Sequence, residues 1–419
     1  MQSPLLPHLD AIRDRFAHVE TCPFEGKRVF FENAGGALRL KSVIETSAAY
    51  AGYADNQGRD NPASRALMAA IARGKDDARI FLNAPGGEVF VGESGTEVLF
   101  RLVRTAALGA APGGVMLGST LEHPASRSAM ARWAEVTGRP HVLALHDDAT
   151  GTVTPEAYAE KITPDLRVAT IVQTSPVTGM AVDVARIAAM IRAVAPDCLI
   201  VVDGIQHASH GHIDIAAYGI DGYAVSPYKV FSRHGYGLGW ASERLTAFTK
   251  EAVIGGSPRN WELGTRDAGA YATFSDVVGY FNWLGATLGG GDTPRARIET
   301  AATAIHAHEA AMMGAILNGL GNRRGLATMP GVALIGGPGD GREGVVCFTL
   351  SSMPAADLVA HLNARGIRTH IRLNDHYCGN ILGPLGLDAC VRASICHYNT
   401  PEEVGRFLDA MEEAVGQDA

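Results

Sequence analysis

Between about residues 85 and 245 the chain alternates short apolar runs with helix-patterned stretches, and nothing else in the sequence restricts the fold as much. GEVFVGES precedes GTEVLFRLVRTAALG, GVMLGST precedes PASRSAMARWAEVTG, RVATIVQT precedes DVARIAAMIRAVAP, and LIVVDGI follows. A strand that is apolar at nearly every position must be covered on both faces, and the intervening helices supply that cover while returning the chain for parallel pairing. The expectation is an α/β fold built on a largely parallel sheet sandwiched by helices. Two further runs, GYAVS and GYGLGWAS, lie close enough together for one to be an antiparallel or edge strand.

The Gly-rich break GATLGGGDTP (285–294) is followed by a long Ala-rich helical stretch, and then the pattern changes. A strand (GVVCFTL), a helix (AADLVAHLNARG), a strand near VRASICHY and a closing helix (PEEVGRFLDAMEEAV) make a smaller α+β unit. The division expected is 1–35 as a segment packing on the small domain, 36–290 as the large domain and 291–419 as the small C-terminal domain. The net charge of -8 provides no basic stripe for a phosphate backbone, so nucleic acid is not an expected partner. The first twenty residues carry charges within each short apolar run, unlike a signal peptide or a membrane span, so a cytoplasmic protein without a membrane partner is expected. Six cysteines without a CxxC pair argue against a zinc site and a disulfide framework, and no metal is expected.

Asp203 ends the apolar run LIVVD, and Lys229 follows the run GYAV within SPYK. In an open α/β sheet the ligand crevice lies beyond the carboxyl ends of the strands, so the two opposite charges should face one cleft. A strand-end salt bridge is the plain reading. The scarcity of lysine tells against it: of six lysines only Lys229 follows an apolar strand inside the sheet pattern. Pyridoxal 5'-phosphate enzymes need this pair, a lysine to form an imine and a carboxylate to keep the pyridine nitrogen protonated.

The DGxQ element at Asp203 and Gln206 and the SxxK element at Ser226 to Lys229 resemble, in sequence and spacing, cysteine desulfurases and the wider class V aminotransferase family of fold type I. The resemblance extends in order along most of the chain, and it implies the fold type I architecture of a mostly parallel seven-stranded sheet domain with a smaller α+β C-terminal domain. Gly95 and Thr96 stand where the family has its phosphate loop, although a GT before a helix, read alone, is an ordinary N-cap. His123, after Glu122, resembles the histidine that stacks on the pyridine ring; a buried structural histidine is the alternative. Ser226 and Tyr228 would offer hydroxyls to the phosphate. Thr265, in ELGT, resembles a threonine that reaches the phosphate of the neighbouring subunit, which implies a homodimer with shared active sites. Arg392, in RASICHYNTPEEV, resembles the arginine that binds the substrate carboxylate, and Asn33 is placed with it as substrate-binding. A surface arginine at a strand end is the competing reading for Arg392.

The reaction implied is cleavage of a C–S bond in an amino acid, as in cysteine desulfurases and selenocysteine lyases. Lys229 and His123 would be catalytic, and Cys378 in IRLNDHYCGNIL would accept the sulfur, helped by His376 and Arg372. Departures from the family pattern at Ser175, Pro176 and Tyr228 leave other chemistry on the same scaffold open. The alternatives are a racemase or epimerase resembling isopenicillin N epimerase, a lyase resembling kynureninase, and an aminotransferase. A catalytically silent binding protein would not need both Lys229 and Asp203.

Overall fold

The computed structural model describes residues 3–339 and 341–416; residues 1, 2 and 417–419 of the two expected terminal segments, and residue 340, lie outside it. Seven strands, β1 (Glu88–Gly92), β2 (Val115–Ser119), β3 (His141–Ala144), β4 (Leu166–Val172), β5 (Leu199–Asp203), β6 (Gly222–Val225) and β7 (Gly237–Ala241), form one sheet. Their spatial order is β1-β7-β6-β5-β4-β2-β3. All neighbours pair in parallel except β7, which is antiparallel to both β1 and β6. The expected antiparallel strand is therefore GYGLGWAS. It sits inside the sheet, not at its edge.

Side-chain alternation explains the apolar runs. Leu199 and Val201 of β5 pack on one face with α3 (Gly95–Gly109) and α4 (Pro124–Thr137). Ile200 and Val202 face the opposite way, into a core shared with α2 (Pro62–Leu82), α5 (Val184–Val194) and α6 (Ala268–Thr287). Each such Val, Leu or Ile contributes about 1.5–3 kcal/mol on burial, so a polar residue at any of these positions would be costly. Before α2 lies α1 (Lys41–Ala51), packed on α6.

Helix α7 (Pro294–Asn318) begins after the Gly-rich break and runs from one core into another. Ile298, Ala301 and Ile305 belong to the core of the large sheet, whereas Met312, Met313 and Ile316 belong to a second core. That second core lies beneath an antiparallel sheet of β8 (Val332–Leu334), β9 (Val345–Leu350), β10 (His370–Leu373) and β11 (Ala389–Ser394), in the order β8-β9-β11-β10. Val346, Phe348, Val391 and Ala393 face α8 (Ala355–Ala364) and α9 (Pro401–Val415). The other face pairs Cys347 with Arg392, His370 with Arg392 and Arg372 with Cys390, and its cysteines belong to the first core. The N-terminal segment touches both cores: Leu5, Ile12 and Phe16 pack in the first and Phe31 in the second, while Val29–Phe30 pairs in parallel with Ile367–Arg368. Among the described residues no helix is long and apolar enough to cross a membrane.

Candidate active site

The carboxyl ends of β5 and β6 and the N-terminus of α3 meet at one cleft, lined by Thr96, His123, Asp203, Gln206, Tyr228 and Lys229 among others. Lys229 lies in the single turn Pro227–Lys229 that follows β6. Two residues on, buried Phe231 holds φ at 64°, a conformation that costs a non-glycine residue stability. Packing against the rings of Phe16, Tyr280 and His397 fixes Phe231 there, which anchors the lysine turn from behind.

The Lys229 ammonium donates to Gln206 Oε1 at 3.0 Å. Burial, and then the positive charge of Arg392, bring its pKa down to about 7, with Asp203 pulling the other way. The amine is therefore available as a neutral base or nucleophile near pH 7. Asp203 closes β5, its carboxylate accepting from Ile205 N–H (3.1 Å) and Ser126 Oγ–H (3.3 Å), and burial pushes its pKa up. Glu122 is nearby and wholly buried; desolvation pushes it up to about 8, so it is a neutral carboxyl at pH 7 held by Thr170 and the Ser119 N–H.

His123 caps α4: its Nδ1 accepts from Ala125 N–H at 3.1 Å, which leaves the ring proton on Nε2. Burial, then Lys229 and Arg372, lower its pKa to about 3, so the ring is neutral. At α3, Ser94 Oγ caps Glu97 N–H, while the Gly95 and Thr96 N–H groups find no acceptor among the described residues. A Cβ on Gly95 would stand 2.2 Å from Ser226 Oγ and 2.6 Å from Ile205 Cδ1. Glycine thus lets the helix end close on Ser226, and two orphan N–H groups beside a hydroxyl at the positive end of a helix suit a phosphate. Together with the buried Asp203 and the low-pKa lysine, this donor set fits pyridoxal phosphate.

Arg392 is 3% exposed and reaches the same region from β11, donating from Nη1 to Pro176 O (3.1 Å); its buried Nε has no acceptor among the described residues. Tyr228 stacks on His234 with ring centroids 4.4 Å apart. The segment carrying Cys378 lies against the cleft, with the Tyr377 ring 5.9 Å from that of His123 and Asn380 Nδ2 donating to Thr120 O at 2.6 Å. Cys378 is buried, and the Arg372 guanidinium grips its Sγ through Nε (2.9 Å) and Nη2 (2.7 Å). Burial outweighs that cation and raises the thiol above its ordinary pKa. The His376 ring lies tilted against that of Tyr377, with centroids 4.1 Å apart, and among the described residues the hydrogen bonds to Cys378 Sγ come from Arg372 and not from His376.

Two residues sit otherwise than their expected roles suggest. Asn33 is turned inward, where Nδ2 donates to Ser394 O (2.8 Å) and Phe30 O (3.1 Å) and Oδ1 accepts from Tyr398. Both ends of its amide are engaged within the protein, tying it to Phe30, Ser394 and Tyr398, and it is not among the residues that line the cleft at Lys229. Thr265 is exposed and lines a separate surface cleft with Tyr50, Tyr53 and Gln57. A larger open groove between Ala11, Arg15, Ser42 and Trp283 shares no residue with the cleft at Lys229.

The aminotransferase class-V model matches residues 29–407. The chain belongs to the class-V aminotransferase family. A probable cysteine desulfurase of Pseudomonas putida is 27% identical over 408 residues, spanning 93% of this family member and 94% of its own length. A cysteine desulfurase of Haloferax volcanii is 25% identical, spanning 92% and 89%. Among solved structures, a cysteine desulfurase from Thermococcus onnurineus superposes with a TM-score of 0.80 at 20% identity, covering 99% of this chain and 98% of that one. The cysteine desulfurase CsdA of Escherichia coli gives 0.78 at 23%, covering 97% and 98%. The structural likeness establishes the fold, a fold type I architecture around a mostly parallel seven-stranded sheet.

Proposed function

We propose that this family member is a pyridoxal phosphate-dependent cysteine desulfurase-like enzyme that holds its cofactor on Lys229 and cleaves the C–S bond of an amino acid. The observation that carries this reading is the convergence, in one cleft, of a lysine with pKa about 7, a buried carboxylate and a helix N-terminus with unpartnered N–H groups. Bound there, pyridoxal phosphate supplies an electrophilic carbon and a protonated ring that accepts the electron pair released at a substrate α-carbon.

Each residue then has a defined task. Gly95, Thr96 and Ser226 bind the phosphate, and Asp203 holds a proton on the pyridine nitrogen. His123, neutral, covers the ring, and Gln206 orients the lysine amine. Tyr228 presents its hydroxyl to the same cleft. Lys229 binds the cofactor and then, as a neutral amine, moves the α-proton. Arg392 orients the substrate carboxylate through its planar fork. Cys378 accepts the sulfur once its loop shifts and the Arg372 grip is exchanged for solvent or substrate. The exposed loop bearing Thr265, with Ile254, Val253 and Leu263 also exposed, is the surface through which a homodimer would present Thr265 to the partner's phosphate. A cofactor-loaded monomer in sedimentation would contradict that assembly.

Two variants test the reading. Lys229→Ala should lose the visible absorbance of the bound cofactor, and a wild-type protein that stays colourless with pyridoxal phosphate would sink the cofactor assignment. Cys378→Ser should keep that absorbance while releasing no sulfide from L-cysteine. Undiminished release would remove Cys378 as acceptor, and product analysis showing the D-enantiomer in place of alanine would move the enzyme to the epimerase reading.

A further inference from the structure

Behind Lys229 the hydrogen bonds continue inward. Nζ donates to Gln206 Oε1 (3.0 Å), Gln206 Nε2 lies 3.3 Å from His210 Nε2, and His210 Nδ1 lies 2.7 Å from Glu309 Oε2. Gln206, His210 and Glu309 are 4%, 2% and 2% exposed. The path runs from the cleft through the loop after β5 to α7. Nothing in the chemistry assigned above uses its last two members.

A primary amide has one donating and one accepting end, so its orientation ties together the groups on either side. With the Gln206 carbonyl toward Lys229, the lysine is a donor, and the amide N–H points at His210 Nε2, which must then be a lone pair. His210 is in that case neutral, with its proton on Nδ1 directed at Glu309. With the amide reversed, its carbonyl accepts from a protonated Nε2, and its N–H₂ faces Lys229, which must then offer a lone pair. The two arrangements differ in the place of one proton and not in net charge. Turning the amide over exchanges its donor and acceptor ends without moving the neighbouring groups, so the same distances serve both arrangements.

We propose that Lys229 and His210 share one proton through the Gln206 amide, with Glu309 fixing Nδ1 so that only Nε2 varies, and that protonation of one excludes protonation of the other. The His210–Glu309 pair is then a positioning element, and it takes the proton that Lys229 must lose to act as a nucleophile. The proton itself leaves and returns through solvent exchange at the cleft; the amide transmits only orientation. This deepens, and rests on, the reading of Lys229 as the cofactor-binding lysine.

The surrounding charges suit such an exchange. Lys229 is faced by Asp203, Arg392, Arg372 and His123. His210 is faced by Glu309, Glu343, His207 and His397, with Cys396 also within 4.8 Å of the His210 and Glu309 donor atoms. His207 is itself paired with Glu343 at 2.9 Å, so Glu309 is left to serve His210. Burial brings Lys229 down to about 7, whereas at His210 the desolvation that disfavours the cation is overcome by Glu309 and Glu343, which raise its pKa, so the same proton is drawn toward His210 as it is disfavoured on Lys229.

The test uses the full chain freed of cofactor and carrying 13C-labelled histidine, with the His210 signal assigned by its loss in His210→Asn. Lys229→Met should raise the His210 midpoint by about one pH unit, and in the Gln206→Leu background by less than about half as much. Equal shifts in the two backgrounds, or none in either, would overturn the proposal, because the amide would then carry no coupling. A second variant separates it from a simple field effect. In Glu309→Gln the loss of a nearby anion should, through space alone, lower the Lys229 midpoint; a shared proton predicts that it rises by about half a unit or more as His210 becomes the weaker base. The Lys229 midpoint is read from the pH dependence of its reductive methylation, resolved by mass spectrometry, and a fall refutes the sharing. Borohydride trapping of pyridoxal phosphate on Lys229 is scored separately, so failure of the cofactor reading is distinguishable from failure of the coupling.

Discussion

Replacing Glu122 with glutamine should stabilise the protein at neutral pH, and more so as pH rises. Glu122 is 1% exposed and its pKa is raised from 4.5 to about 8, with burial the largest cause, and Asp203 also raising it. A carboxyl that is harder to ionise in the folded state binds its proton more tightly there than in the unfolded chain. The stability this confers is fully present below 4.5 and is lost as pH climbs through about 8. Between those values the loss is about 1.4 kcal/mol per pH unit, so by pH 7 the penalty on the wild type reaches roughly 3 kcal/mol. Glutamine has no proton to give up and can still accept from Thr170 and the Ser119 N–H. The assay is the thermal midpoint of both proteins at pH 5, 6, 7 and 8. For a chain of this length 1 kcal/mol corresponds to about 1–2 °C, so the gap should widen in the variant's favour by several degrees across the series. A constant gap, or one that narrows with pH, would show that Glu122 is ionised in the fold, and the neutral partner assigned beside Asp203 would have to be abandoned.

Two other substitutions probe the cleft. Gly95→Ala places a methyl 2.2 Å from Ser226 Oγ and should force the helix end back, weakening pyridoxal phosphate binding by about ten- to a hundredfold in absorbance titrations. Unchanged affinity would remove the phosphate from this helix end. Arg392→Lys keeps the charge and loses the planar fork, so KM for L-cysteine should rise about tenfold or more while binding of cysteamine, which has no carboxylate, stays the same; parallel losses for both would point to a folding defect.

The strongly patterned elements were legible in the sequence because they are apolar on both faces or on a regular stripe. Runs such as LIVVD at 199–203 and the Ala-rich stretch that forms α7 are of this kind. Strand β3, with only four residues and partial exposure, carries no such pattern, and neither does β10, whose face toward Arg392 and Cys390 carries the polar His370 and Arg372. Helix α6 was hidden for the opposite reason: it is buried nearly all round, from Ala268 through Gly285, and so lacks an amphipathic stripe. Site residues were legible where a strand end or a motif marks them, as for Asp203 and Lys229. Asn33 shows the limit, since its neighbours in sequence say nothing of Ser394 and Tyr398, which occupy it.

The sequence alone settled that the chain alternates strands and helices, that a lysine and an aspartate end two of those strands, and that a glycine opens the helix beside them. These are local facts, written in periodicity and in residue type. Proton affinities are not local. Lys229 is an ordinary lysine until burial and Arg392 bring it near 7, Glu122 is an ordinary acid until it loses water, and Cys378, beside an arginine that should acidify it, is made less acidic by its own burial. Solvation and the summed field of groups distant in the chain set these values, and only the tertiary structure brings those groups together.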